Sequence, residues 1–71
     1  MEINIKLKLA NKIKALRQKK GITQEKLANL SDIDYKYIQK IEGKSPPNIK
    51  IETIERISKA LHIHISELFD F

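Results

Sequence analysis

The stretch TQEKLANLSDIDYKYIQKIE, residues 23–42, decides how the rest of the 71-residue chain is read, because it spells two short helices joined by a tight turn. Its apolar positions are Leu27, Ala28, Ile33, Ile38 and Ile41, and polar residues fill nearly all the others. Residues three apart share a helical face, so Ile38 and Ile41 point the same way. Thr23 is placed to cap the first helix by accepting a backbone N–H from its opening turn, and Glu25 follows where the helix dipole favours negative charge. Lys26 occupies the position at which a capping box needs Glu or Gln, so that box is incomplete. The helix must stop near Leu30, since Ser31 and Asp32 are turn residues and Asp32 tolerates the left-handed backbone better than most. Asp34 is then expected to cap the second helix. Two helices crossing steeply after so short a connection approach closely at Ala28, where a large side chain would prise them apart.

The set Gln24, Leu27, Ala28, Ile33, Ile38, Ile41 and Glu42 resembles the helix-turn-helix of the Cro-and-repressor (XRE-type) DNA-binding family. The likeness extends outward from the motif. Arg17, four residues before Gly21, and Glu42 match the pair that in this family forms a semi-buried salt bridge tying the first helix to the end of the recognition helix. The ending ALHIHISELF, residues 60–69, is similar to the family's last segment, so the resemblance spans residues 7–70. Two departures stand out: Asp32 replaces a usual Gly, and the segment from Gly43 to Ile51 is slightly longer than the commonest form. The single-domain form with LSDIDYKYIQKIE looks most like the restriction-modification controller proteins. Phage repressors, plasmid-borne regulators and antitoxin-like autorepressors share the same mechanism. The resemblance implies an all-α, lambda-repressor-like domain of five compact helices. It also implies a sequence-specific transcriptional regulator that binds double-stranded DNA.

A chain of this length is one domain, residues 1–71, with room for a single small core. With no Cys there is neither a disulfide framework nor a cysteine zinc site, which fits a reducing, cytoplasmic setting. No apolar run approaches a membrane span or a signal-peptide core, so no membrane partner is expected. The net charge of +5 suits a polyanionic partner, and its distribution is more informative than its size. Residues 1–20 carry seven Lys or Arg against one Glu, residues 21–43 three against four, and residues 44–71 four against four. The positive field therefore originates in the first helix while the second helix of the motif is near neutral, a division that suits a reader of bases more than a blanket phosphate binder.

The opening MEINIKLKL alternates like a strand, but a lone strand has no partner in so short a chain. Leu9, Ile13 and Leu16 follow helical spacing, which predicts a helix over about Leu7 to Lys20 closed by Gly21. Residues 1–6 read as an extra turn of that helix or as an arm, with a frayed terminus preferred. Lys6, Lys8, Lys12, Lys14, Lys19 and Lys20 form either a solvated surface or a phosphate-facing one. Arg17 differs from them: it sits one turn after Ile13, beside the apolar stripe, where an unpaired guanidinium is costly, so a partner such as Glu42 is expected. GKSPPNIK, residues 43–50, is a surface loop, with Ile49 expected in the core. Ile51, Ile54, Ile57 and Leu61, with Ala60 alongside, predict a core-facing fourth helix. A short fifth helix is expected over about Ile65 to Phe69, with Leu68 inward and His64 as its cap.

Docking the second helix of the motif in the major groove points Tyr35, Lys36, Gln39 and Lys40 at base edges. Lys36 or Lys40 suits guanine O6 and N7, Gln39 suits adenine, and Tyr35 can pack on a thymine methyl. Thr23, Gln24, Tyr37, Lys44 and Asn48 are the candidates for phosphate contact; Gln24 sits where free backbone N–H groups already attract phosphate. In the family this glutamine touches both the DNA backbone and the recognition helix. Ile63, Ile65, Phe69 and Phe71 exceed what one small domain buries at its end, and residues 62–71 are read as a homodimer interface. Enzyme readings find little support. His62 and His64 are two apart with no third ligand nearby, so no metal or other cofactor is expected. No glycine-rich phosphate loop and no nucleophile with a base can be picked out. The rival from another class is a protein-interaction module, including an antitoxin-like one, that keeps the helical scaffold without reading DNA.

Overall fold

The computed structural model describes residues 4–71. Asn4 opens the first helix: its side-chain oxygen accepts the Leu7 N–H at 3.1 Å, and α1 runs Ile5–Lys19. The helix thus begins two residues before the expected Leu7, because a cap that sequence periodicity does not register sits at Asn4. Of residues 1–6, read as an extra turn or an arm with a frayed terminus preferred, residues 1–3 lie outside the described residues; from Asn4 onward the chain is cap and helix. At the other end Lys20 is the capping residue and Gly21 follows it with φ +69°. A Cβ on Gly21 would meet nothing within 4 Å, so backbone conformation and not space favours glycine there.

α2 spans Gln24–Ser31, and the Thr23 hydroxyl oxygen accepts the Lys26 N–H at 3.0 Å as its spacing predicts. Ser31, expected in the turn, is instead the last helical residue. It is buried, and its hydroxyl donates back to the Leu27 carbonyl at 2.5 Å, which satisfies the oxygen inside the helix. Asp32 takes the left-handed conformation at φ 56°, and the Ile33 N–H returns to the Ala28 carbonyl at 3.0 Å. α3 spans Tyr35–Ile41. Asp34 precedes it but its side chain makes no capping bond; its backbone carbonyl accepts the Tyr37 and Ile38 N–H groups at 3.0 and 3.1 Å.

After the loop, α4 spans Ile51–Ala60 and buries Ile54, Ile57 and Ala60, with Leu61 just beyond its end. Ile51, expected to face the core, is 72 % exposed: it is the first residue of α4, whose buried positions begin one turn later at Ile54. Ile49 and Leu16 are only half-buried at the core's edge. His62 turns the chain with φ 57°. The segment Ile65–Phe69 is a 3-10 helix and not an α-helix, so the described residues form four α-helices where five helices were expected. Five residues are little more than one turn, and tighter 3-10 bonding suits so short a piece. His64 stands before this segment without a side-chain capping bond, contrary to expectation. Leu68 anchors it, fully buried.

The core is one cluster built from Leu9, Ile13, Leu27, Ala28, Ile38, Ile41, Ile54, Ile57, Ala60, Leu61 and Leu68. α2 packs on α3 and on α4, while the 3-10 helix closes across α1 and α4. Seven large side chains, Ile13, Leu27, Ile38, Ile41, Ile57, Leu61 and Leu68, are fully buried, each contributing about 1.5–3 kcal/mol. Among the described residues there is no strand.

Candidate nucleic-acid interface

α3 has seven residues, too few to persist alone, so its shape is imposed by what it packs on. Ile38 and Ile41 are fully buried and hold one face against the core. The opposite face carries Tyr35, Lys36, Gln39 and Lys40, all exposed. These four form two pairs spaced by four residues, the spacing at which side chains on a helix are neighbours. In the first, the Gln39 Nε2 donates to the Tyr35 hydroxyl oxygen at 3.3 Å. In the second, Lys36 and Lys40 are like charges. The described residues contain only two ion pairs, Arg17 with Glu42 and the exposed Lys59 with Glu55 at 4.0 Å, so neither lysine is neutralised. A helix face with two unpaired ammonium groups and a hydrogen-bonding Tyr–Gln pair suits an anionic partner rich in acceptors.

A network of hydrogen bonds fixes where this face points. Arg17 of α1 donates from Nε to Glu42 Oε2 at 2.7 Å and from Nη2 to Oε1 at 2.9 Å, a two-pronged contact with the residue that ends α3. Its Nη1 donates to the Ile22 carbonyl at 2.6 Å. Glu42 Oε1 also accepts the Gln24 Nε2 at 3.0 Å, so one oxygen joins the ends of α1 and α3 and the start of α2. Arg17 and Glu42 are both buried, and charge in such a place is tolerated only when paired and hydrogen-bonded, as here. No buried side-chain nitrogen or oxygen among the described residues lacks a partner.

Around α3, Thr23 is exposed at the start of α2 with its oxygen engaged by the Lys26 N–H, which leaves its O–H free to donate outward. Gln24 is half-buried, and with Nε2 turned to Glu42 its carbonyl oxygen remains available. Tyr37 is half-buried against the core, while Lys44 and Asn48 are exposed in the 43–50 loop. On α1, Lys6, Lys8, Lys14, Lys19 and Lys20 are exposed and Lys12 is half-buried.

At the C-terminal end, Ile63 packs half-buried on the core, whereas Ile65, Phe69 and Phe71 are 39, 41 and 50 % exposed. The Phe69 and Phe71 ring centroids lie 6.3 Å apart and tilted by 49°. The Lys8 ammonium lies 5.7 Å from the centroid of Phe71, a contact over 63 residues of chain that no sequence pattern announces. The Asn4 cap was also missed, although Asn three residues before Leu7 carries the signal.

The helix-turn-helix family profile matches residues 13–68, which contain every element from the middle of α1 to the buried Leu68. The fold and the outward face of α3 thus define a helix-turn-helix protein. Across its whole length the chain is 39 % identical to Control protein C.BamHI of Bacillus amyloliquefaciens and covers 88 % of it. It is similar to the crystal structure of the restriction-modification controller protein C.AhdI from Aeromonas hydrophila, with 34 % identity, a TM-score of 0.85, and 90 % of this chain and 96 % of that one covered. It is similar also to C.Esp1396I bound to a 25 base pair operator site, with 38 % identity, a TM-score of 0.86, and 97 % of this chain and 90 % of that one covered. The chain belongs to the helix-turn-helix family, and within it to the restriction-modification controller proteins.

Proposed function

We propose that this protein is a sequence-specific transcriptional regulator, not an enzyme, that binds a palindromic operator on double-stranded DNA as a homodimer and controls restriction-modification genes. The observation that carries this reading is α3, anchored by Ile38 and Ile41 with Tyr35, Lys36, Gln39 and Lys40 outward, in a chain similar over 97 % of its length to a protein solved on its operator. In this reading α3 lies in the major groove. Lys36 and Lys40 donate to guanine, Gln39 pairs with adenine, and Tyr35 faces a thymine methyl or a base acceptor.

Thr23, Gln24, Tyr37, Lys44 and Asn48 bind phosphate oxygens on either side and set the register. The basic α1 supplies attraction that is independent of sequence and is screened by salt. No described helix is long and apolar enough to cross a membrane; work on DNA puts the protein in the cytoplasm. Ile63, Ile65, Phe69 and Phe71 join two copies, so that the domain spanning residues 1–71 acts in pairs.

Selection of bound duplexes from a random pool at about 0.15 M salt, followed by sequencing, tests the reading under conditions where counterion-driven binding is weakened. The expected result is an enriched inverted repeat with half-sites one helical turn apart. Binding without enrichment, equally strong to any duplex, would overturn it.

A further inference from the structure

We propose that Tyr35 is a positioning residue for Gln39, and that the two form a single reading unit whose hydrogen bond sets which base Gln39 accepts; this rests on the DNA-reading role proposed above. The two side chains are one turn apart on α3, and the Gln39 Nε2 donates to the Tyr35 hydroxyl oxygen at 3.3 Å. Both are exposed, so no core contact fixes the carboxamide of Gln39. A glutamine side chain in water is free about three bonds, and ordering it on DNA costs entropy. The bond to Tyr35 meets part of that cost before DNA arrives.

The chemistry of the pair then follows from its inventory of donors and acceptors. A carboxamide has two N–H donors and one carbonyl acceptor. Tyr35 takes one N–H. The other N–H and the carbonyl oxygen form a donor–acceptor edge, the pattern that matches adenine N7 and N6 in the major groove. Having accepted from Gln39, the Tyr35 hydroxyl keeps its own hydrogen and can donate it to an acceptor on an adjoining base pair, such as guanine O6 or thymine O4. Two adjoining base pairs are thereby read together, and a change in either side chain is felt at both. Lys36 and Lys40, on the neighbouring strip of the helix, have no acceptor with which to take the Gln39 N–H.

The test uses the full chain with Tyr35→Phe, which keeps the ring and removes the hydroxyl, Gln39→Ala, and the double variant. Binding is measured against the selected operator and its single base pair substitutions. Gln39→Ala identifies the base pair that Gln39 reads. Tyr35→Phe is expected to lower discrimination at that same base pair by about two- to tenfold, the equilibrium equivalent of one ordinary hydrogen bond. Adding it to Gln39→Ala is expected to change nothing more there. Undiminished discrimination at that base pair in Tyr35→Phe, or effects that simply multiply in the double variant, would overturn the proposal.

A second measurement needs no DNA. In the free protein, Tyr35→Phe should move the Gln39 side-chain amide signals in a proton–nitrogen correlation spectrum while signals of core residues stay in place. An unmoved Gln39 amide refutes the coupling by itself. A wild-type protein that selects no sequence, yet shows the amide shift, refutes the DNA-reading role and with it the reading unit, while leaving the hydrogen bond established.

Discussion

Glu42 shows how much can hang on one carboxylate. It accepts from Arg17 twice and from Gln24 once, at a site where neither charge is solvated. Glu42→Ala should cost about 3–5 kcal/mol, because the guanidinium left behind is buried without a counter-charge. Urea unfolding followed by circular dichroism measures this, and a loss below about 1 kcal/mol, the usual worth of an exposed pair, would contradict the assignment. Replacing Arg17 and Glu42 together by Met and Leu should restore most of the stability but free the Gln24 amide, so stability and operator affinity would separate. Asp32 is the opposite case, a residue the fold tolerates without needing its side chain. Its φ of 56° is uphill for any residue with a Cβ. Asp32→Gly should stabilise the protein by about 0.5–1 kcal/mol, visible as a higher thermal midpoint. An unchanged or lower midpoint would mean that the added freedom of glycine in the unfolded chain offsets the relief.

At the scale of the helices, α2 and α3 differ in what holds them. α2 carries its own start signal in Thr23, and Thr23→Ala should cost about 1 kcal/mol as the Lys26 N–H loses its acceptor. α3 has no side-chain cap and depends on its anchors. Ile38→Ala should cost about 2–5 kcal/mol and weaken DNA binding with it, since the helix that presents the reading face loses its hold. Lys36→Ala and Lys40→Ala should do the reverse. Both lysines are exposed and unpaired among the described residues, so the unfolding midpoint should stay put while operator binding falls. The salt dependence sorts their roles: a lysine on phosphate reduces the slope of log affinity against log salt by about one, whereas a lysine on a base relaxes discrimination at one position.

For the molecule as a whole, size argues for assembly. The described residues of one copy measure 36 × 23 × 22 Å and hold a single α3, which in the proposed reading serves one major groove, whereas successive grooves on one side of the duplex lie about 34 Å apart. In that reading two copies joined by an apolar end would match that spacing, and Ile65, Phe69 and Phe71 are the exposed apolar side chains at that end. The double substitution Ile65→Ser with Phe69→Ser should leave the fold intact, because neither side chain is in the core, yet yield a monomer in sedimentation velocity. Operator binding should weaken while single half-site contacts persist. A wild-type chain that is itself monomeric at micromolar concentration would count against the dimer.

What the order of residues determined by itself was local. The Thr23 cap, the left-handed Asp32, the end of α1 near Gly21, and the inward stripes of Ile38 with Ile41 and of Ile54, Ile57 and Leu61 all follow from periodicity and capping chemistry acting over four or five neighbours. The family pattern rests on the same stretch and was equally legible, as were the exposed side chains of α3. Tertiary structure decided whatever depended on residues distant in the chain. The apolar spacing of α4 includes Ile51, but in the folded chain it stands in water. Ser31 reads as a turn residue, but burial next to the α2 carbonyls makes it the last helical one. Arg17 and Glu42 were paired from the sequence, yet the sharing of one Glu42 oxygen with Gln24 emerged only when three elements met. Local signals specify a helix through hydrogen bonds over a single turn; the environment of each side chain is set by which elements pack beside it, and that is decided by the folded chain as a whole.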